Sequence, residues 1–293
     1  MSLFFKDQYS RRLAVISCDN GMLASIAALV ARPDEMNLID FNMDQLIRSS
    51  IYNSNGITNI KAASFDSLFG CDALIINSPD AESIAKKAVE NGFDGVFIVV
   101  GSSDECMAVL CGSGYISTRK NECMATDMVT KNASLRLAIG KYFSISPHDV
   151  SVFYIGADKN GFIAWSSGSV GSKSILDIID DSRDVYSYEK LLETSSEAVN
   201  FPLSSLCHAF SAAHLARAVL YDERRILTPV SMLSGDYGHS GICLALPAVI
   251  GKRGIVEKQK IPLDSYELSQ LNSICDSLSK IKKQAPLYGS DAH

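Results

Sequence analysis

Four short and largely apolar runs in the first hundred residues constrain the fold more than any other feature of the sequence. They cover residues 13–16, 37–40, 73–77 and 95–100. Segments with the pattern of helices, such as 22–31 and 82–90, separate them. Strands that are apolar on both faces are buried on both faces, as happens when helices join parallel strands. The sequence therefore predicts an α/β fold with a doubly wound parallel sheet over roughly residues 11–145.

A different pattern follows residue 149. Strands are predicted at residues 150–155, 225–231 and 241–247, and helices at 175–179, 203–220 and 265–284. The last two strand segments flank turn residues at 234–238 and predict an antiparallel hairpin. We therefore expect two domains, residues 1–145 and residues 146–293, of which the second is an α+β domain.

The charge and hydropathy of the chain argue against two classes of partner. The net charge is −6 and the sequence pI is about 5.4. No stripe of lysine and arginine is interleaved with aromatic residues, so nucleic acid is not expected as a partner. The longest apolar stretches, 93–100 and 242–250, are too short to cross a bilayer, and the first residues lack the ordered regions of a signal peptide. We expect a cytoplasmic protein with no membrane partner.

The eight cysteines show neither a C-x-x-C motif nor the spacing of a disulfide framework. In a long chain without a signal peptide they are expected to be reduced, buried thiols. Cys207, His208 and His214 raise the alternative of a metal site, but their spacing does not place them on one face of a helix. The sequence therefore predicts no metal site.

Several ordered motifs resemble one known family. Residues 155–167 read IGADKNGFIAWSS, and residues 218–231, 235–238, 244–255 and 261–263 read AVLYDERRILTPVS, GDYG, LALPAVIGKRGI and IPL. These segments are similar to the lactate/malate dehydrogenase family, in which a strand ending in Ile-Gly leads into Glu-His-Gly-Asp-Ser and then Trp-Ser. The resemblance covers about residues 12–284. It implies a Rossmann-like domain followed by the family's C-terminal domain, and it implies NAD-dependent oxidation of a 2-hydroxy acid.

The residues that perform this reaction in the family are missing at the matched positions. The place of the histidine, the general acid/base, falls on Asp158 or on Ala157, depending on the side from which the shortened loop is counted. The places of its carboxylate partner and of the substrate-binding arginine fall on Lys131 and Ser134. The mobile loop after the third strand is deleted, and with it the arginine that polarises the carbonyl. Ser204 and Asp158 are the candidate residues of the substrate pocket.

The cofactor-binding turn has changed as well. In the family, a Gly-x-Gly-x-x-Gly turn lets the N-terminus of a helix approach the pyrophosphate of NAD. Here Ser17, Asp19 and Met22 stand at the three glycine positions. A carboxylate at Asp19 would repel a phosphate charge ~5 Å away by roughly 3 kcal/mol at an effective dielectric constant near 20. We expect no cofactor, NAD being implied by the resemblance alone. The candidate cofactor-binding residues are Ser17, Gly21 and Asp40, the last at the place of the ribose-binding acid.

Three functions stay open at this point. The first is a catalytically degenerate lactate/malate dehydrogenase-like protein, without the family's oxidation and retained as a binding or oligomeric scaffold protein. The alternative is a divergent oxidoreductase acting on the CH–OH group of a 2-hydroxy acid or another substrate, with a rebuilt active site that uses Asp158, Lys159 or Lys131. The third is a ligand sensor that uses the old crevice without chemistry. The sequence leaves open whether the chain is an enzyme.

The resemblance also implies self-association. We expect a homo-oligomer, either a dimer or a tetramer, with an active paralogue as an alternative partner, because the family pairs subunits through helices of both domains. Apolar residues fall on the matching helices at Ile47, Ile51, Tyr52, Leu203, Leu206, Phe210 and Leu215. The alternative, that these side chains pack into the core of their own subunit, stays open.

Overall fold

A computed structural model describes residues 10–284, apart from positions 20, 40–57, 158–159, 183–184 and 203 and the side chains of 181–187 and 281–284. Six strands of its first half are parallel and lie in the order β3-β2-β1-β4-β5-β6. They are β1 (Arg12–Ser17), β2 (Glu35–Ile39), β3 (Asn59–Ala63), β4 (Ala73–Asn77), β5 (Val96–Val99) and β6 (Cys123–Ala125). The order reverses between β1 and β4, and ligands of such sheets bind at the carboxyl ends of the strands at this point.

Both faces of the parallel sheet are buried under helices. The α-helices described in the first half are α1 (Met22–Ala31), α2 (Ala81–Glu90), α3 (Ser103–Ser113) and α4 (Asp127–Phe143). Alternate residues of β1 belong to different cores: Leu13 and Val15 pack with α1, whereas Ala14 and Ile16 pack on the side of α2 and α3. This arrangement confirms the doubly wound α/β fold.

The sheet continues into the second half of the chain. Val230 pairs antiparallel with Ala125, and the sheet extends from β6 through β13, β14 and β8 to β9, which makes ten strands in the described residues. The additional strands are β7 (Val150–Ser151), β8 (Tyr154–Ala157), β9 (Asn160–Ile163), β10 (Ser169–Val170), β11 (Lys173–Ser174), β12 (Arg225–Leu227), β13 (Val230–Asp236), β14 (His239–Ala245), β15 (Ala248–Gly251) and β16 (Gly254–Lys258). Two small antiparallel sheets, β11-β10-β7 and β12-β15-β16, complete the strands.

One helix of the second half packs directly on the parallel sheet. The second-half helices are α5 (Ile175–Ser182), α6 (Val185–Asn200), α7 (Ser205–Leu220) and α8 (Ser265–Gln284). The buried face of α7 is rich in alanine, including Ala209, Ala212, Ala213 and Ala216, and it shares a core with α1 and β1. Small side chains let two helices approach closely, and this packing brings the N-terminal turn of α7 to the carboxyl ends of β1 and β4.

Asn132 of α4 connects the two halves through buried hydrogen bonds. Its Nδ2 donates to the carbonyl oxygens of Met128 and Tyr154, both at 2.9 Å, and its Oδ1 accepts from the Tyr154 amide at 2.8 Å. The side chain is buried. These bonds satisfy backbone groups at the start of β8 that would otherwise lack partners.

Most of the predicted elements are present, with differences that have physical causes. The helices at 22–31 and 265–284 are confirmed with those bounds, and so is the antiparallel hairpin. Its turn is tighter than expected, because Tyr237 and Gly238 both adopt positive φ angles, as in a two-residue hairpin turn. The predicted strand at 150–155 is instead divided into β7 and β8. The two-domain boundary near residue 145 stays a prediction.

The sequence reasoning missed β3, β6 and α6. β3 is an edge strand with mostly exposed or half-buried residues, so it lacks an apolar run, and β6 has three residues. No helix in the described residues is both long and apolar enough to cross a membrane.

Candidate functional site

A small crevice lies at the carboxyl edge of the parallel sheet, where the strand order reverses. Its volume is about 110 Å³. The loop after β1, the end of β4, residue 100 and the first turns of α1 and α7 form its walls. The crevice residues are Asp19, Leu23, Asn77, Val100, Ser205, His208 and Ala209.

Asp19 occupies the N-terminus of α1. Its Oδ1 accepts a hydrogen bond from the Gly21 amide at 2.9 Å, and its Oδ2 accepts one from the Leu23 amide at 3.1 Å. Gly21, with φ of 85°, adopts the left-handed conformation that lets the turn fold back on Asp19. A carboxylate at this position also interacts favourably with the positive end of the helix dipole. The Asp19 carboxylate thus occupies the backbone amides at the start of α1 that could otherwise bind an anion.

Ser17 and Asn77 hold the turn to the neighbouring strand. The Oγ of Ser17 accepts from Nδ2 of Asn77 at 3.0 Å and from the amide of Asp19 at 3.3 Å. Ser17 and Gly21, two of the predicted cofactor-binding residues, are therefore brought together beside Asp19. The third, Asp40, lies outside the described residues.

These residues do not fit NAD in the pose of a dinucleotide fold. The pyrophosphate in that pose takes the amide donors at the start of the first helix, and here the Asp19 carboxylate holds two of them. Cofactor-sized pockets usually measure roughly 300–1,000 Å³. The crevice formed by the described residues measures about 110 Å³. The Asp19 carboxylate therefore opposes a pyrophosphate in this pose, and the described part of the crevice alone is smaller than such pockets.

His208, which lines the crevice, lies against an aspartate of another helix. His208 is the fourth residue of α7, and Asp127 is the first residue of α4. The His208 Nδ1 is 3.3 Å from the Asp127 Oδ1, an ion-pair distance with an angle that falls short of a hydrogen bond. The two side chains are 23% and 20% exposed, so the pair is partly shielded from water.

Sequence reasoning missed this pair. The sequence raises His208 only as an alternative metal ligand, and the resemblance places the family's acid at Lys131, one helical turn after Asp127. The available signal was the position of both residues at the start of a helix next to a sheet edge. Among the described residues, no three His, Cys, Asp or Glu side chains come together as a metal site.

The remaining predicted residues are spread over several elements. Ser204 is the N-cap of α7, where its Oγ accepts from the Cys207 amide at 3.4 Å, and its neighbour Ser205 lines the crevice. Lys131 holds its amine 5.6 Å from the ring centre of Tyr154. Asp158 and Lys159 lie outside the described residues. The pocket role of Ser204 stays a prediction.

Ala157 stands in one of the two registers expected for the family's histidine. This residue is 1% exposed and belongs to an apolar core with Ile155 and Phe162. It pairs with Asn160 across the β8–β9 hairpin. A buried methyl group at this position offers no proton-transfer chemistry.

The connection that follows β4 is short. β4 ends at Asn77 and α2 begins at Ala81, so three residues join the strand to the helix. This confirms the prediction that the strand runs directly into a helix. A connection of this length cannot close over a bound substrate as a mobile lid does.

Apolar side chains on α7 divide into two groups. Leu206 and Phe210, one helical turn apart, are 48% and 43% exposed. Leu215 is fully buried in the core of its own subunit, so its predicted place among the interface residues is wrong. The other predicted interface residues, Ile47, Ile51, Tyr52 and Leu203, lie outside the described residues.

A larger groove lies away from the sheet edge, between α6, α8 and the β9 segment, with a volume of about 570 Å³. Asp264 and Glu267 at its rim are occupied as a reciprocal cap of α8, since each carboxylate accepts the backbone amide of the other. Glu267 also accepts the Ser166 amide at 2.9 Å. Asp264 and Glu267 thus stabilise the start of α8, and Glu267 also stabilises the Trp165–Ser166 segment.

Comparisons with known proteins agree on one family. Residues 197–286 match the model of the lactate/malate dehydrogenase alpha/beta C-terminal domain. The chain is 28% identical to the L-lactate dehydrogenase of Pediococcus pentosaceus over 210 residues, which span 68% of this chain and 64% of that protein. It is 22% identical to L-lactate dehydrogenase 3 of Bacillus thuringiensis subsp. konkukian over 94% of this chain and 98% of that protein.

Solved structures extend the likeness to the whole fold. A lactate dehydrogenase from a Medee basin deep-sea metagenome library superposes with a TM-score of 0.81 at 20% identity, covering 93% of this chain and 98% of that chain. The lactate dehydrogenase of Cryptosporidium parvum, solved with lactic acid and nicotinamide adenine dinucleotide, gives a TM-score of 0.81 at 19% identity, covering 94% and 99%.

Proposed function

The chain belongs to the lactate/malate dehydrogenase family, and we propose that it is a catalytically degenerate member. In this proposal it does not carry out NAD-dependent oxidation of a 2-hydroxy acid and requires no cofactor. It is retained as a binding or oligomeric scaffold protein in the cytoplasm.

The observation that carries the proposal is the position of Asp19. Its carboxylate takes the amides of Gly21 and Leu23, which are the donors a pyrophosphate would need. A bound dinucleotide would have to displace this carboxylate and accept its repulsion, roughly 3 kcal/mol for one phosphate charge at ~5 Å. The turn after β1 is therefore stabilised by the carboxylate of its own Asp19.

Two further features support loss of the family reaction. The three-residue connection from Asn77 to Ala81 leaves no lid to carry an arginine over a substrate. At the position of the acid/base histidine, one register gives the buried Ala157. Each such loss costs orders of magnitude in rate, although losses within one site are not additive.

The scaffold part of the proposal rests on the exposed apolar side chains of α7. Leu206 and Phe210 form a small apolar surface next to the crevice. We propose that this surface contributes to a homo-oligomer, or to an oligomer with an active paralogue, because packing it against another subunit removes apolar area from water.

A second candidate function is favoured by the His208–Asp127 pair. A divergent oxidoreductase acting on a CH–OH group needs a proton acceptor oriented by a carboxylate, and this pair has that composition. Asp127 and His208 would then replace the predicted Asp158, Lys159 or Lys131.

The experiment that separates the two candidates is an NADH-linked assay. Purified protein is mixed with NADH and with pyruvate, oxaloacetate or bulkier 2-oxo acids, and the L-lactate dehydrogenase of Pediococcus pentosaceus serves as the active control. The proposal predicts no turnover above background under conditions in which the control is active. A rate near the ~10 s⁻¹ typical of enzymes would overturn it.

A further inference from the structure

We propose that the crevice between β1, β4 and α7 binds a small hydroxyl-bearing molecule without negative charge, of the amino alcohol or polyol class, and that His208 accepts its hydroxyl hydrogen. This inference rests on the proposed function in one respect, namely that no dinucleotide occupies the crevice.

The orientation of His208 supplies the first step. Its Nδ1 is buried and lies 3.3 Å from Oδ1 of Asp127. A carboxylate at this distance favours the tautomer with the proton on Nδ1, which makes Nε2 the acceptor. Because the ring lines the crevice and Nδ1 is buried, Nε2 is the nitrogen available to a bound molecule. Asp127 is thus a positioning residue for His208.

The other polar groups of the crevice are also mainly acceptors. Asp19 contributes a carboxylate, and Asn77, whose Nδ2 donates to Ser17, presents Oδ1. Ser205 adds a hydroxyl group that can donate or accept. An acceptor-rich lining binds a molecule rich in donors, such as hydroxyl and ammonium groups, because its half-buried acceptors then gain partners.

The charge of the site excludes the anionic ligands of the family. Among the described residues, the lining contains the carboxylate of Asp19 and no lysine or arginine. Asp127 adds a second carboxylate behind His208. A carboxylate or phosphate ligand would meet these charges without a cation to pair with, whereas a neutral or cationic ligand would not.

The volume sets the size of the ligand. At about 110 Å³ the crevice has room for roughly four water molecules, at ~30 Å³ each in the liquid. Ethanolamine and glycerol fall in this range. Leu23, Val100 and Ala209 give the short carbon chain of such a molecule an apolar surface.

The test follows the histidine ring signals of the wild-type protein by two-dimensional NMR. Ethanolamine and glycerol are titrated separately, and lactate and inorganic phosphate at the same concentrations are the anionic controls. The His208 signal is the one that disappears in H208Q and persists in H148Q and H239Q. We expect saturable shifts of the His208 signal with ethanolamine and glycerol, the former binding more tightly because of Asp19, and unchanged signals from His148 and His239.

Variants then test the role of each residue. Asp127→Asn should weaken binding of ethanolamine about tenfold, because the neutral amide no longer favours the proton on Nδ1, and Asp127→Glu should restore part of it. If H208Q does not fold, elimination with H148Q, H214Q, H239Q and H293Q assigns the His208 signal in the wild-type titration, because the chain has five histidines. Ser205→Ala provides an additional crevice variant that leaves the pair intact.

Three results would overturn the inference: no shift of the His208 signal with either probe, equal shifts with lactate or phosphate, or binding in the 570 Å³ groove alone, where the His208 signal stays unchanged. Wild-type affinity in Asp127→Asn would overturn the positioning role. NADH turnover would contradict the proposed function whichever way the titration ends, and absent probe binding without turnover would contradict this inference alone.

Discussion

The interior of the parallel sheet and its carboxyl edge differ sharply in how they match the dehydrogenase family. In the interior, β1, β4 and β5 keep fully buried apolar residues and the strand order of a dinucleotide-binding fold. At the edge, the Asp19 carboxylate accepts amides at the start of α1, three residues join β4 to α2, and His208 and Asp127 from two different helices lie side by side. The difference teaches that packing and chemistry are carried by separate sets of residues.

The largest loss of stability should follow a substitution that creates a cavity in the interior of the sheet. Phe97 is fully buried and makes edge contacts with Phe93 and Tyr115, at ring-centre distances of 4.8 and 5.2 Å. Phe97→Ala should lower the free energy of unfolding by about 3–5 kcal/mol, as measured by urea denaturation. Phe69→Ala is the matched control, since Phe69 is 74% exposed. Equal losses in the two variants would contradict the assigned core.

Removing the hydrogen bonds of Asn132, which connect the two halves, should give the next largest loss of stability. Asn132→Ala removes three buried hydrogen bonds and leaves the Tyr154 amide and carbonyl without their side-chain partner. The free energy of unfolding should fall by about 2–4 kcal/mol, because unsatisfied buried polar groups cost about 1–3 kcal/mol each. Leu137→Ala, at an exposed position of the same helix, should change stability little. A neutral Asn132→Ala variant would show that the halves are held together by other contacts.

How much of this could be read from the sequence differs between the two regions. Apolar runs and helical spacing were sufficient for the sheet and for α1 and α8, because burial acts on each position separately. The His208–Asp127 pair could not be found in this way, since its members are 81 positions apart (208 minus 127) and meet through the packing of α7 on α1 and the sheet. Asp19 was recognised as an obstacle to phosphate, but its role as the cap of α1 depends on the positive φ of Gly21.

At the edge, removal of the internal anion should cost less stability than either interior change. Asp19→Ala should lower the free energy of unfolding by about 1–2 kcal/mol, the usual cost of losing a capping side chain. Asp80→Ala is a suitable control, because Asp80 precedes α2 but makes no side-chain bond to its amides. Denaturation of both variants provides the measurement. A loss at Asp80 as large as that at Asp19 would contradict the capping role.

The smallest effect should appear in the pH dependence of stability. Burial lowers the pKa of His214 below its ordinary value of 6.5, and nearby Arg225 and Arg217 act in the same direction against Glu223. Between the lowered and the ordinary value the unfolded chain binds a proton that the folded chain does not, so stability falls as pH falls through this window. His214→Gln should flatten that decline in urea denaturation series, by less than the Asp19 effect. An unchanged slope would assign the decline to other groups.

The central claim, that the edge has lost its dinucleotide site while the interior keeps the fold, is tested most directly by titrating NADH into the wild-type protein and into Asp19→Gly by calorimetry. We expect no saturable binding to the wild type up to about 1 mM, a dissociation constant that corresponds to about −4 kcal/mol. Asp19→Gly, which frees the amides of Gly21 and Leu23, should bind at least about tenfold more tightly. Micromolar binding of NADH to the wild type, unchanged in Asp19→Gly, would contradict the account.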